Sequence, residues 1–443
     1  MSLPKEIVVI SGGTATNSLV NVFQLLSDNI TFILPISDNG GSTSEILRVL
    51  GGPAIGDIRS RITRLISDEG YKKLLSYRLS EDNDEAKAEW TSIVEGNHEI
   101  WQDIEIQCKE ILRSFLIHVH MELLKKSRNP STNFRFELAS VGNLLLTGIR
   151  LFVGSLDSAI ELIHRMTRIS PGVKILPCLN TNYTYHISAM LANGKVITGQ
   201  SQISHPPEEQ PNNPNLMSNP SVNYYETSRD GLAEGVSSFY SISQFNQTHE
   251  DIPYQHPDLL ISQLKFNKNA TSPLEAPISR IFYINPYGEE IHPKANSRTI
   301  MSLNNSSDIV YSIGSLMTSI VPVLILQGIG YSIKHSKANK ILLLNGNSDR
   351  ETYGFTALDF INTIYSSIHY SFGTEFENVK LSYTEVVTHL IYLENSEIAV
   401  DTTEIEKLGI RCIKIKKDSK LNESINLYDL DELQHTLSQW IGT

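Results

Sequence analysis

The chain has 443 residues, with 37 Lys and Arg against 49 Asp and Glu, a formal charge of −12 and 40% hydrophobic residues. This length exceeds one ordinary domain, the hydrophobic content excludes wholesale disorder, and the acidic balance excludes bulk attraction to nucleic acid or an anionic membrane. Any phosphate ligand must therefore be held locally. Three widely spaced cysteines, Cys108, Cys178 and Cys412, suit neither a disulfide framework nor a zinc ribbon and fit reduced thiols in an intracellular protein. The apolar run Ile7–Ile10 stops at Ser11-Gly12-Gly13, too short for a secretory core or a membrane span. A cytoplasmic protein, or a cytoplasmic and nuclear one, is expected.

The first elements are legible in order. Glu6–Ser11 is a continuous run rich in β-branched residues, the pattern of a strand buried on both faces of a parallel sheet. A small-residue turn, Gly12 to Asn17, leads into a helix carrying Leu19, Val20, Phe23, Leu25 and Leu26. A second buried strand, Ile30–Ile36, ends at Ser37-Asp38-Asn39-Gly40-Gly41-Ser42. Strand, glycine turn and helix, twice over, open a Rossmann-like, doubly wound, mostly parallel α/β sheet.

Helices are expected over 57–80 and 103–128, with the acidic stretch Glu81–Glu85 a solvated loop or helix start. Leu138–Phe152 reads as an apolar helix, and Tyr183–Ser204 as a hairpin turning at Asn193-Gly194. Residues 205–275 open with a Pro-rich polar run that cannot build a core, and read as a long, partly disordered insertion. Strands follow at Ile278–Ile284, Ser307–Ile313, Lys340–Gly346, Thr388–Leu393 and Arg411–Ile415, with helices at Thr318–Leu326, at Phe355–Tyr370 and after each of the last two strands. The expected organisation is an N-terminal part, 1–204, the insertion 205–275, and a C-terminal α/β part, 276–443, completing the same sheet.

Ligands of open α/β sheets bind at the carboxyl ends of the strands. Three turns there, Ser11–Asn17, Ser37–Ser44 and Ser312–Ser319, have the small residues that let backbone N–H groups and a helix N-terminus approach an anion. They match no Walker loop, because no lysine follows the glycines, and no three-glycine dinucleotide fingerprint. Carboxylates beside such turns, Asp38 and Asp57, call for a bridging cation, and Mg²⁺ suits the charge balance. Asp57 also suits a helix cap, and Asn143 either caps its helix or reads a ligand edge. Arg59 at a helix start can hold phosphate bidentately, whereas Arg61 and Arg64 read as surface charges. His118 and His120, two apart on a helix, face away from each other and do not suggest a shared metal.

Five motifs in this order, Ile10-Ser11-Gly12-Gly13-Thr14, Ser37-Asp38-Asn39-Gly40-Gly41-Ser42, Gly56-Asp57-Ile58-Arg59, Val141-Gly142-Asn143-Leu144 and the run Ser312–Pro322, resemble the CofD-like family. That family holds 2-phospho-L-lactate transferase and the bacterial gluconeogenesis factor. The likeness runs over about 5–204 and 277–415. It implies a Rossmann-like fold, and in the transferase branch an Mg²⁺-dependent transfer of a phospholactyl group from a guanosine-diphosphate-activated donor to a deazaflavin hydroxyl. The other branch resembles a binder of nucleotide sugar or dinucleotide.

Carried over by position, Gly12, Gly13, Thr14, Asn39, Gly40, Gly41, Ser42 and Arg59 would hold phosphates and Asn143 would read the nucleotide. Gly314, Ser315, Thr318 and Ser319 would complete the phosphate wall, and Asp38 and Asp57 would position the metal or the accepting hydroxyl. Two departures are visible: Asn39 replaces a second aspartate, and Ala15 replaces a glycine. The reading is a transferase moving a phosphoryl-containing group from a nucleoside-diphosphate donor to an alcohol with Mg²⁺, with no organic cofactor assigned. The other class is a non-catalytic sensor of nucleotide sugar. The ligand is a nucleoside diphosphate or nucleotide sugar, neither nucleic acid nor membrane is a partner, and the oligomeric state is open, with a homodimer one option.

Overall fold

The computed structural model describes residues 6–37, 40–128, 133–205, 272–373, 379–418 and 427–441. The bulk of the expected insertion, 206–271, and the turn residues Asp38 and Asn39 lie outside these.

Seven strands form one parallel sheet: β1 Glu6–Ile10, β2 Asn29–Leu34, β3 Val173–Pro177, β8 Asp308–Tyr311, β9 Asn339–Leu343, β10 His389–Leu393 and β11 Arg411–Ile415. Their order is β11-β10-β9-β8-β1-β2-β3, and every neighbouring pair is parallel. The chain winds outward from β1 through β2 to β3, then returns to the other flank of β1 as β8. The switch point therefore lies between β1 and β8, where connecting loops part to opposite faces and leave a crevice. Ile7, Val8, Val9 and Ile10 are each 0% exposed, as the unbroken apolar run requires of a central strand.

Four strands make a second, antiparallel sheet in the order β5-β4-β6-β7, from β4 His186–Leu191, β5 Val196–Thr198, β6 Ile278–Ile284 and β7 Glu290–Ile291. The hairpin expected around Asn193-Gly194 is present, with Gly194 at φ 83°. The strand at Ile278–Ile284, expected to resume the main sheet, pairs antiparallel with β4 instead. Its alternating partners and Tyr283, whose hydroxyl donates to the Pro322 carbonyl at 2.9 Å, dock the small sheet on the segment that follows β8.

Helices of the first half are α1 Val20–Leu26, α2 Gly41–Leu50, α3 Gly56–Leu65, α4 Glu69–Ser76, α5 Asn83–Glu95, α6 Ile106–Lys126, α7 Val141–Val153, α8 Leu156–Met166 and the short α9 Gln200–Ser204. The acidic stretch at 81–85 starts α5: Asp82 caps it by accepting from the N–H groups of Asp84 and Glu85, each at 3.0 Å. The edge strand β3 and α8 had no separate signal in the sequence reading, since Lys174 interrupts a run only five residues long. The expected long helix over 57–80 breaks into α3 and α4, because Asp68 caps a new helix through the N–H groups of Gly70 and Tyr71.

His120 accepts from Trp90 Nε1 at 3.0 Å and His118 packs edge-on against Phe152, so neither side chain is directed at a shared ligand. None of the three cysteines forms a disulfide. Among the described residues no helix is long and apolar enough to cross a membrane.

Candidate functional site

The loops after β1, β2, β8 and β9, with the N-terminal turns of α2, α3 and α7, enclose one cavity of about 510 Å³. Gly12, Gly13, Thr14, Gly40, Gly41, Ser42, Asp57, Arg59, Asn143, Gly314, Ser315, Thr318 and Ser319 all line it. The described residues singled out from the sequence are thus brought together at the β1–β8 switch point. Asp38 and Asn39 lie outside the described residues.

Local geometry explains the small residues. A Cβ on Gly13 would stand 2.5 Å from both the Cα and Oδ1 of Asp57, so only glycine lets the β1 loop lie against α3. Asp57 is the second residue of α3 and not its cap, a place taken by Ile55. Gly314 has φ 134°, outside the range other residues adopt readily, and a Cβ added there would stand 3.5 Å from the Ala15 methyl, an ordinary contact, so the backbone angle rather than crowding calls for glycine. Ala15, the departure noted in the sequence, lines the same cavity. Thr16, 0% exposed, ties the two strand ends together by donating to the Ile313 carbonyl at 2.9 Å.

The β1–β2 side of the cavity is rich in unengaged donors. Arg59 Nε donates to Asn143 Oδ1 at 3.1 Å, and its two terminal nitrogens have no partner among the described residues. Burial, with the neighbouring Arg78 cation, lowers the Arg59 pKa, and Asp57 opposes the shift. Arg78 also lines the cavity, and neither guanidinium sits in an ion pair among the described residues. Asn143 donates through Nδ2 to Ser42 Oγ at 3.2 Å, and the Ser140 N–H donates to the same oxygen at 2.9 Å. Ser42 therefore has its lone pairs engaged and its proton unclaimed among the described residues. Both ends of the Asn143 amide are satisfied by protein, which makes it a brace for Arg59 and Ser42.

Arg61 is not the surface charge expected from its sequence neighbours. It is 0% exposed beneath the β1 loop, where Nη2 donates to the Gly12 carbonyl at 3.0 Å and to Ser11 Oγ at 3.3 Å, and the guanidinium lies 4.6 Å from the Phe32 ring centre. Its Nε and Nη1 lack partners, and burial lowers its pKa to about 10. Helical spacing put Arg59 at the cavity, as expected, and turned Arg61 under it rather than to the surface. Arg64 is exposed, as expected, with Nε donating to the Asn17 carbonyl.

The β8–β9 side has the opposite polarity. Asn345 engages Gly314 at both backbone groups, accepting from its N–H at 3.0 Å and donating to its carbonyl at 2.8 Å. Glu351, 4% exposed and in the cavity wall, accepts from Ser204 Oγ at 2.6 Å, from Thr318 Oγ1 at 2.9 Å and from Ser315 Oγ. Burial, and then the nearby Asp349, push its carboxyl up to about 7. Asp349, Glu351, Arg78, Gln200, Ser201, Ser204 and His205 all line this cavity and were missed in the sequence. Asp349-Arg350-Glu351 follows β9 by several residues, past the single Gly346 and without the run of small residues that marks the other turns, and α9 ends just before the Pro-rich run.

These features define a class: a doubly wound parallel α/β protein whose glycine-lined cleft sits at the topological switch point. The family model described as 2-phospho-L-lactate transferase CofD matches residues 7–417, and the chain belongs to this CofD family. It is 46% identical over 98% of its length to "Uncharacterized protein YNL011C" of Saccharomyces cerevisiae, covering 99% of that protein. A Clostridium acetobutylicum protein named "Putative gluconeogenesis factor" is 22% identical over 98% of this chain and 69% of its own. Two crystal structures of protein BH3568 from Bacillus halodurans, one described as of the UPF0052 family, share the fold at TM-scores of 0.61 and 0.59 with 17% identity. Both cover 98% of this chain, and 99% and 98% of the respective solved chains.

Proposed function

We infer that the chain is a nucleotide-binding transferase of the 2-phospho-L-lactate transferase type. It moves a phosphoryl-containing group from a nucleoside-diphosphate-activated donor to an alcohol. One observation carries the anion site: Arg59 and Arg78, two guanidinium groups without ion pairs among the described residues, line the same cavity as three glycine turns. Like charges held close in a partly buried wall are unfavourable unless a dianionic group joins them, and the fork of guanidinium donors matches phosphate oxygens. The N-terminal turns of α2 and α3, at Gly41-Ser42 and Gly56-Asp57, add N–H groups and the positive ends of two helix dipoles.

The donor set suits Mg²⁺. Among the described residues no three His, Cys, Asp or Glu side chains form a metal cage. Mg²⁺ bound with a diphosphate needs only one or two carboxylates, the remaining positions going to phosphate oxygens and water. Asp57, against Gly13 on the donor side, is the described carboxylate in the place for this, and Asp38 is its proposed companion. Bound there, the ion would supply charge neutralisation on the diphosphate. The chain's own part is to hold the diphosphate with Arg59, Arg78, Ser42 and the glycine-loop N–H groups, so that charge growing on the leaving nucleotide meets fixed donors.

Titration calorimetry with GDP and UDP in Mg²⁺ tests the site. Arg59→Gln is expected to weaken the tighter of the two about tenfold or more, as the loss of one charge-assisted hydrogen-bond pair implies. Binding of neither nucleotide by the wild-type chain, or equal affinity in the variant, would overturn the reading. The relatives bearing the gluconeogenesis-factor name favour a second reading, a nucleotide-sugar sensor without turnover. Turnover separates the two: the transferase reading requires product formation by the wild-type chain and its loss in Asp57→Asn, whereas a sensor forms no product.

A further inference from the structure

The cavity is polar in two opposite senses, and the division falls along the β1–β8 boundary. On the β1–β2 side the Arg59 terminal nitrogens and the Ser42 hydroxyl proton have no acceptor among the described residues. On the β8–β9 side four donors are already engaged. The Gly314 N–H is held by Asn345, and the hydroxyl protons of Ser204, Ser315 and Thr318 all point at Glu351. The three hydroxyls also touch one another, and Ser315 Oγ accepts from the Thr318 N–H at 3.1 Å, so none of them has a proton left for a ligand. A carboxylate offers about four acceptor positions, and three protein hydroxyls occupy three of them. Phosphate, itself only an acceptor at neutral pH, is repelled by such a wall. A hydroxyl group, which brings a donor, completes it.

We propose that Glu351 is the specificity-determining residue of the cleft, receiving a hydroxyl of the ligand at the end opposite the diphosphate. The assignment rests on the transferase reading, in that it takes the donor-rich side as the diphosphate site. It also departs from the expectation that Ser315 and Thr318 complete a phosphate wall: their hydroxyls fix the Glu351 carboxylate in place. In the transfer itself the hydroxyl is that of the acceptor alcohol. Its oxygen forms the new bond to phosphorus, the bond from phosphorus to the leaving nucleotide breaks with its electron pair, and the alcohol proton passes to Glu351. Asp57 is badly placed for that proton, because it stands on the phosphate side against Gly13.

The surroundings of Glu351 support a group that changes protonation near neutrality. On its own loop it faces Asp349, whose charge disfavours ionisation, and Arg350 is adjacent in the chain. From α9 and from Leu316–Ile320 it meets the neutral hydroxyls of Ser204 and Thr318, with Ser315 just before the latter segment. His205 lines the same cavity. Burial in that setting brings the carboxyl to about 7, so both forms are populated at working pH.

Calorimetry on the full chain with Mg²⁺ tests this, using UDP against UDP-glucose and GDP against GDP-mannose. Wild-type protein is expected to bind one hexose conjugate more tightly in relation to Glu351→Gln by about tenfold, while the matching free nucleotide differs less than twofold between the two proteins. The wild-type advantage for the conjugate should grow as pH rises from 6 to 8 and be flat in the variant. Ser204→Ala, which removes one donor to the carboxylate, should shift conjugate binding in the same direction by a smaller factor. Equal loss for nucleotide and conjugate, or no loss for either, overturns the assignment of Glu351 while leaving the anion site standing. No binding of any of the four by wild-type protein overturns the anion site itself, and this assignment with it. Circular dichroism and melting of each variant guard against reading misfolding as lost recognition.

Discussion

Two buried ionisable side chains flank the crevice, one beside it and one beneath it, and they behave differently. Arg61 lies under the β1 loop with 0% exposure, two of its nitrogens unpartnered and its charge resting on one carbonyl, one hydroxyl and the face of Phe32. Glu351 lies in the opposite wall with three hydroxyls directed at it. Burial pulls both toward their neutral forms, Arg61 to about 10 and Glu351 to about 7. A guanidinium lowered that far stays charged at neutral pH, whereas a carboxyl raised that far does not stay fully ionised. The floor of the cleft is thus a fixed cation and the far wall a titrating acid. This pairing is what the proposed reading of a phosphate end and a hydroxyl end rests on.

The largest expected effect comes from breaking the loop that separates the two. Gly13→Ala drives a methyl into the backbone of Asp57, where no side chain can rotate out of the way. It should lower unfolding stability by ~3 kcal/mol and abolish nucleotide binding, read by urea denaturation and calorimetry. Replacing the floor cation is gentler. Arg61→Met keeps the volume and removes the unpartnered nitrogens, so stability should stay within ~1 kcal/mol of wild type. Nucleotide affinity should fall roughly tenfold, because the Gly12 carbonyl loses the donor that holds the loop in shape.

The smallest effect sharpens the comparison from the other wall. In the folded chain Glu351 keeps its proton up to about pH 7, while an unfolded glutamate releases it near the ordinary value of 4.5. Between those values the folded state binds more protons, so its stability is fully present below about 4.5 and declines as pH rises through 7. Glu351→Gln cannot ionise and should narrow the melting-temperature difference between pH 5 and pH 8 by roughly 2–4 °C. An unchanged difference would mean that the carboxyl titrates where ordinary glutamates do.

Much of the frame was readable in advance, because a central parallel strand must be apolar on both faces and Ile7–Ile10 shows that without interruption. The glycine turns were readable for a related reason: close backbone approach tolerates few residue types, as Gly13 against Asp57 illustrates. The edge strand β3 was not, since an edge strand needs only one well-buried flank and Lys174 can sit within it. Ile278–Ile284 has the composition of a sheet strand but nothing in it says which sheet, a choice made by the register with β4.

The chemistry divides in the same way. Gly12, Gly41 and Arg59 marked the proposed anion site from neighbours a few positions away, because the constraint is local to a strand, a turn and the helix after it. Arg61, two residues further on, read as a surface charge, but the helix turned it beneath the cleft while Arg59 entered it. Glu351 draws its environment from Ser204 and Ser315, 147 and 36 residues away along the chain. The amino-acid order determined where backbone could approach a ligand. Which buried charge would face it, and whether that charge would hold its proton, followed only from packing distant segments into a region that excludes water, where burial and the neighbouring charge set the cost of ionisation.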